Sequence, residues 1–112
     1  MTNRMLFFEV AATDMIAFPV ENVHMIEATG ANAGVIMATP GGISAGTGKS
    51  LKITFNSAAG KLEECIKELS ALIYGGGISY QGIIDVANTT AGTTHKACPN
   101  LILTNLAIAV TQ

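Results

Sequence analysis

Only one segment of this chain, Leu62 to Ile73, places its apolar residues at the spacing of an α-helix, and that stripe constrains everything around it. Leu62, Cys65, Ile66, Leu69, Leu72 and Ile73 recur at intervals of three and four, which aligns them on one helix face. Lys61, Glu64, Lys67 and Glu68 fall on the opposite side, and Glu63 stands one turn before Lys67, where opposite charges attract. Ser57 or Asn56 can cap the start and Gly75-Gly76-Gly77 stops the helix, which predicts a span of about 58–74. A lone amphipathic helix has no second helix on which to bury its stripe. It needs a sheet.

The rest of the chain supplies strands. Arg4 to Ala11 alternates, with Leu6, Phe8 and Val10 on one face and Phe7 and Glu9 on the other. Ala12-Thr13-Asp14 turns the chain, and Met15 to Val20 returns, with Pro19 marking an edge or a bulge because proline cannot donate to a ladder. In a third strand, Asn22 to Thr29, His24, Ile26 and Ala28 alternate with Val23, Met25 and Glu27. Val35 to Ala38 is a short fourth, and Leu51, Ile53 and Phe55 alternate with Lys52 and Thr54 in a fifth. Ser79 to Ala87 and Leu101 to Val110 complete the set, separated by a loop from Asn88 to Pro99. In the last strand Ile102, Leu106, Ile108 and Val110 share a face. Strands without alternating helices disfavour a doubly wound fold. The expectation is a single α+β domain spanning 1–112: an antiparallel sheet of about seven short strands, which could curl toward a barrel, with one helix on it.

Composition bears on partners. Only 12% of the 112 residues are charged, against about 25% in ordinary soluble proteins. A small domain has much surface for its volume and normally coats it with charge. This deficit predicts a homo-oligomer that hides part of its surface against copies of itself. The net charge is −2, and Arg4, Lys49, Lys52, Lys61, Lys67 and Lys96 are scattered singly. No basic stripe could displace the counterions of a nucleic acid, so none is expected as a partner. The longest apolar stretch, Leu101 to Val110, is half the length of a spanning helix, which argues against a membrane. Glu9 and Asp14 cut short the apolar run after Arg4, so it does not read as a signal peptide, and the cytoplasm, or a particle assembled there, is the expected location.

Several residues invite a chemical reading. Gly46-Thr47-Gly48-Lys49-Ser50 ends like a phosphate-binding loop, whose backbone N–H groups and lysine cradle phosphates. The first glycine of that motif should stand at position 43, which is Ile43, and the motif must open a helix. Leu51-Lys52-Ile53-Thr54-Phe55 has a period of two instead, so Gly46, Gly48, Lys49 and Ser50 are rejected as a nucleotide site. His95 and Cys98 have a spacing that can hold zinc, with His24 and Cys65 as completing ligands, but without a CxxC pair the signal is weak and no metal or other cofactor is expected. A Cys65–Cys98 disulfide has no secretory signal to support it. Ser79, Asp85 and His95, or Glu9, Glu21 and Glu27, have the functional groups for catalysis, yet no local signature ties them together, so no catalytic residue is assigned. Met5, Met15, Met25 and Met37 are read as core filling, with a methionine-lined binding face as the alternative.

The order of parts carries one resemblance. A Phe-rich first strand, the bend Phe18-Pro19-Val20-Glu21-Asn22-Val23, the strand Ile26-Glu27-Ala28-Thr29, the strand Leu51 to Phe55 and then an amphipathic helix resemble short uncharacterised proteins of marine phages and ocean metagenomes, over residues 5–73. The resemblance implies a virion component or another accessory phage protein, and it carries over no functional residues. The sequence thus points to a non-enzymatic, self-associating structural or interaction protein. The alternative is a small-ligand-binding protein or enzyme whose pocket forms between subunits from the 40–49 or 88–99 loop.

Overall fold

A computed structural model describes residues 4–39, 50–74 and 82–111 of the chain. Strands β1 (Met5–Ala11) and β2 (Asp14–Pro19) form a hairpin, and a 3-10 turn at Val20–Asn22 leads into β3 (Val23–Ala28) and β4 (Ala33–Ala38). Strand β5 (Ser50–Ser57) precedes helix α1 (Leu62–Tyr74), and β6 (Ile83–Asn88), β7 (Thr93–Thr94) and β8 (Leu101–Thr111) follow it. The class is mixed α+β, with eight strands and one α-helix among the described residues.

These strands make two sheets of four, in the orders β2-β1-β6-β7 and β3-β4-β5-β8, and not the one sheet of about seven strands curling toward a barrel. The break falls at the 3-10 turn. Pro19 offers no N–H at its entry, Val20 N donates back to Arg4 O at 3.2 Å, and Thr39 N donates to Asn22 O at 2.9 Å. The turn is thereby pinned to the start of β1 and the end of β4, so β2 pairs backward, β3 pairs forward, and neither sheet closes. The eighth strand is the two-residue β7, inside the segment expected as a loop; Thr93 and Thr94 pair with Asn88 and Ala87 of β6. Strand β1 pairs with β6 in parallel, and all other pairs are antiparallel.

The helix begins at Leu62 instead of near 58, and neither Ser57 nor Asn56 caps it. Both belong to β5, and the chain reverses after them through Gly60, whose φ of 75° is open to glycine without strain. Glu63 and Glu64 occupy the first turn, next to the positive end of the helix dipole. The last turn has no basic residue of its own. Instead the buried Arg4 reaches across from the start of β1 and donates its guanidinium N–H groups to the carbonyls of Leu72 and Ile73. Carbonyls that no helical N–H can satisfy thus find a charged donor.

The core lies between the two sheets and the helix. Leu6, Phe8, Phe18 and Ile84 come from the first sheet, Ile36, Ile53 and Phe55 from the second, and Cys65, Leu69, Leu72 and Ile73 from α1. Phe8 and Phe18 stack at 6.0 Å across the hairpin. Ile26, Ile36, Ile53 and Ile108 stand opposite one another in a row across the whole second sheet. Gly34 leaves room for Phe55: a Cβ there would lie 2.6 Å from the Phe55 ring and 2.8 Å from Glu27 O.

Bulges alter the expected alternation in three strands. A register shift between Val23 and Met25 lets both Val23 and Ile26 reach the core, although they differ in parity. A second, in β6, buries the neighbours Val86 and Ala87. The third, in β8, includes Asn105 at φ 62° and exchanges the faces, so Leu101 and Leu106 are buried and Ile102 stands opposite Asn56 on the outward side. The expected shared face of Ile102, Leu106, Ile108 and Val110 therefore does not hold. Strand β8 completes the second sheet by pairing with β5 of its own chain.

Candidate interaction surface

The side chains that point away from the core define the most unusual surface. On β1 the core takes Leu6 and Phe8, which leaves Met5, Phe7 and Glu9 outward; on β2 it takes Phe18, which leaves Met15 and Ala17. On β4 it takes Ile36 and Ala38, which leaves Val35 and Met37, and the bulge in β3 leaves Met25 and Glu27 outward beside them. All four methionines expected as core filling therefore lie on the outward faces, and none joins the core cluster. Met15 and Met25 are 46% and 47% exposed, and Met5 and Met37 are half-buried. The physical reason is phase: a strand position is inward or outward by parity, whatever its hydrophobicity.

Each face forms ordered rows. In the first sheet Pro19, Met5 and Ile83 stand opposite one another, with Ile83 70% exposed, and the next row is Ala17, Phe7 and Asp85. The charges of that face are acidic. Asn88 Nδ2 donates to Glu9 Oε1 and to Asp85 Oδ2, both at 3.4 Å. In the second sheet one row reads Glu27, Val35, Thr54 and Ala107, and the next Met25, Met37, Lys52 and Ala109. Val35 is buried without belonging to the core cluster. Among the described strand residues this face carries one acid, Glu27, and one base, Lys52, both exposed. Among the described residues the salt bridge formed is Glu63–Lys67, 2.9 Å apart on α1, as the helix spacing predicts, and neither Glu27 nor Lys52 has a partner.

The residues with chemical potential are held elsewhere. Cys65 and Cys98 are free, buried thiols. Burial pushes Cys65 up to about 11, with the Glu68 carboxylate adding to it. Burial likewise pushes Cys98 up to about 12, reinforced by Cys65 and Glu68. Both are neutral and poorly nucleophilic near pH 7. Glu68 accepts from Asn100 N at 3.2 Å and Asn100 Nδ2 at 2.6 Å, tying the helix to the entry of β8. His95 Nδ1 accepts from Ala97 N at 3.0 Å. Burial holds the His95 imidazole below its ordinary range, helped by Lys96 and opposed by Asp85. Among the described residues no group of three or more His, Cys, Asp and Glu side chains converges, so His95 and Cys98 are not joined by His24 or Cys65 into a metal site. His24 lies exposed at the β3 bulge against the Thr39 hydroxyl.

Gly46, Gly48, Lys49 and Ser79 lie outside the described residues, whereas Ser50 opens a strand. The carboxylates weighed together are dispersed: Glu9 on the first sheet, Glu21 in the 3-10 turn and Glu27 on the second sheet. A groove of about 320 Å³ opens between β3 and α1, walled by Ala28, Leu62 and Ile66 and rimmed by the Glu63–Lys67 pair. It offers an apolar slot with no His, Cys or hydroxyl lining it. Among the described residues no helix is long and apolar enough to cross a membrane. No family model matches this chain, and comparison with curated proteins and with solved structures likewise returned no match.

Proposed function

We propose that this chain is a non-enzymatic, self-associating structural or interaction protein that presents methionine-bearing sheet faces to other copies of itself. The observation that carries the reading is the placement of Met5, Met15, Met25 and Met37 on the outward faces of both sheets. Methionine is flexible and polarisable, and it suits surfaces that must adapt to an apposed surface. A sheet face turned to water normally alternates polar residues against the buried ones. Here Phe7, Ile83 and the four methionines occupy such positions, on a chain with 12% charged residues. Apolar patches of more than a few hundred Å² are rarely left bare on a monomer.

Cys65, Cys98 and His95 support a non-enzymatic role by being engaged in packing: two neutral buried thiols and a histidine whose ring nitrogen holds a backbone N–H. Together with the resemblance to short phage proteins, the reading favours a virion component or accessory phage protein, acting in the cytoplasm or in a particle assembled there. Light scattering across a concentration series tests it. The expected outcome is a mass that rises to a multiple of 11.5 kDa. A mass fixed at the monomer value up to millimolar concentration would sink the proposal.

A further inference from the structure

The two outward faces are not equivalent as docking surfaces for a second copy, and the difference is electrostatic. The first sheet shows Glu9 and Asp85, both acidic, so laying it on its own copy would set like charges against one another. The second sheet shows Glu27 on β3 and Lys52 on β5, exposed and without partners among the described residues. Registry fixes their relation. Glu27 shares a row with Val35 and Thr54, while Lys52 shares the adjacent row with Met37 and Met25. The two charges are thus diagonal, two strands apart and one row apart, which places their Cα atoms about 12 Å from each other. The midpoint of that diagonal falls at Ile36 on β4.

Resting on the self-association proposed above, we infer that the outward face of the β3-β4-β5-β8 sheet is an isologous dimer interface, in which Glu27 of each copy pairs with Lys52 of the other. A two-fold axis lying in the interface over Ile36, at right angles to the diagonal, exchanges the positions of Glu27 and Lys52. It gathers Met25 and Met37 of both copies between two symmetric ion pairs. A two-fold contact must be self-complementary, and one acid and one base flanking apolar side chains satisfy that requirement. Ala107 and Ala109 on β8 present only methyl groups, so they permit close approach. Four strands by five residues span about 19 by 17 Å. At about 320 Å² per copy that is well below the roughly 800 Å² per partner of a standard interface, so association is weak and belongs in the micromolar range and above.

Sedimentation equilibrium from 5 μM to 1 mM (roughly the span such a small contact requires) tests the inference with Glu27→Lys and Lys52→Glu. Both positions are exposed and unpartnered among the described residues, and circular dichroism with thermal melting verifies that each variant folds. Each variant alone sets like charges against one another twice and should shift the dimer midpoint upward by tenfold or more. An equimolar mixture of the two should recover association, because every contact in the mixed dimer is again a cation against a carboxylate. The double variant should associate like the native chain. Added salt should weaken the native dimer and strengthen the self-association of the single variants. Single variants that remain as associated as the native chain would overturn this interface while leaving self-association through another surface standing. Monomeric variants that fail to recover in the mixture would overturn the ion-pair geometry. A native chain that is monomeric throughout would remove both proposals.

Discussion

Leu69→Ala, set against Ile66→Ala on the same helix, measures how the stripe of α1 divides between core and groove. Leu69 is fully buried among the core residues of both sheets. Truncation to alanine removes three carbons, worth about 2.4 kcal/mol of transfer free energy at about 0.8 kcal/mol each. The two sheets and the Arg4-pinned helix end limit collapse around the gap, and each 50 Å³ left unfilled adds about 1.2 kcal/mol. The expected loss is about 3–4 kcal/mol. Ile66 loses the same number of carbons but is only half-buried and lines the 320 Å³ groove. Roughly half the transfer term applies and no sealed cavity forms, giving about 1 kcal/mol. Lys67, with its side chain 74% exposed, should cost less than about 0.5 kcal/mol on truncation. Equilibrium urea unfolding followed at 222 nm, at one fixed protein concentration because association adds stability, resolves differences of this size. An Ile66→Ala loss as large as that of Leu69→Ala would refute the reasoning, since it would mean the groove is filled and Ile66 fully covered.

Further outcomes follow from other features. Gly34→Ala should cost about 1–3 kcal/mol, because the added carbon meets Glu27 O and the Phe55 ring; urea midpoints within error of the native chain would contradict that packing. Asn105→Val should cost about 1–2 kcal/mol, since a β-branched residue resists φ 62°, while Asn105→Gly should change stability by less than about 0.5 kcal/mol; the opposite order would mean the bulge is misassigned. The thiols of the unfolded chain ionise near pH 8.5–9, whereas burial moves Cys65 to about 11 and Cys98 to about 12. Above pH 9 the unfolded chain therefore holds fewer protons than the folded one, and stability should fall by up to about 1.4 kcal/mol per pH unit per thiol. Alanine at both positions should remove that part of the slope, and an unchanged slope would disprove it. Ellman's reagent should modify both cysteines readily only after unfolding; rapid reaction of the native chain would contradict their burial.

Much of this architecture could be read from residue spacing, and the failures share a cause. The apolar stripe located α1 to within a few residues, and the alternation of Leu6 and Phe8 against Phe7 and Glu9 assigned both faces of β1 correctly. What spacing cannot show is a bulge. One extra residue at His24 or in β6, and three between Ile102 and Ala107, reverse parity for everything beyond them, and neither composition nor charge marks the place. The split into two sheets depends on where Val20 and Thr39 donate, a long-range choice with only Pro19 as a local sign. The methionine faces were legible in principle. Met5 runs in phase with Glu9, and Met25 with Glu27, so parity already placed them with the charged residues. Hydrophobicity argued for the core, and phase overruled it. The period of two after Lys49 is that of a strand, and β5 reproduces it.

The parallel pairing of β1 with β6 has a consequence for how the chain is made. The β1–β2 hairpin leaves the ribosome before the other described elements, carrying Leu6, Phe8 and Phe18 ahead of the strands and helix that cover them. Its other neighbour, β6, lies beyond the whole of β3, β4, β5 and α1. At about 5–20 residues per second, the hairpin waits several seconds for that strand, and Arg4 waits almost as long for the helix end sixty-nine residues ahead. The second sheet can pair β3, β4 and β5 locally during that interval, whereas the first cannot be finished until β6 has emerged. Nascent chains are therefore most exposed to mispairing and to holding chaperones at their N-terminal hairpin. Slowing translation between Ser57 and Ile83 should lower the yield of folded protein more than slowing it after Leu101.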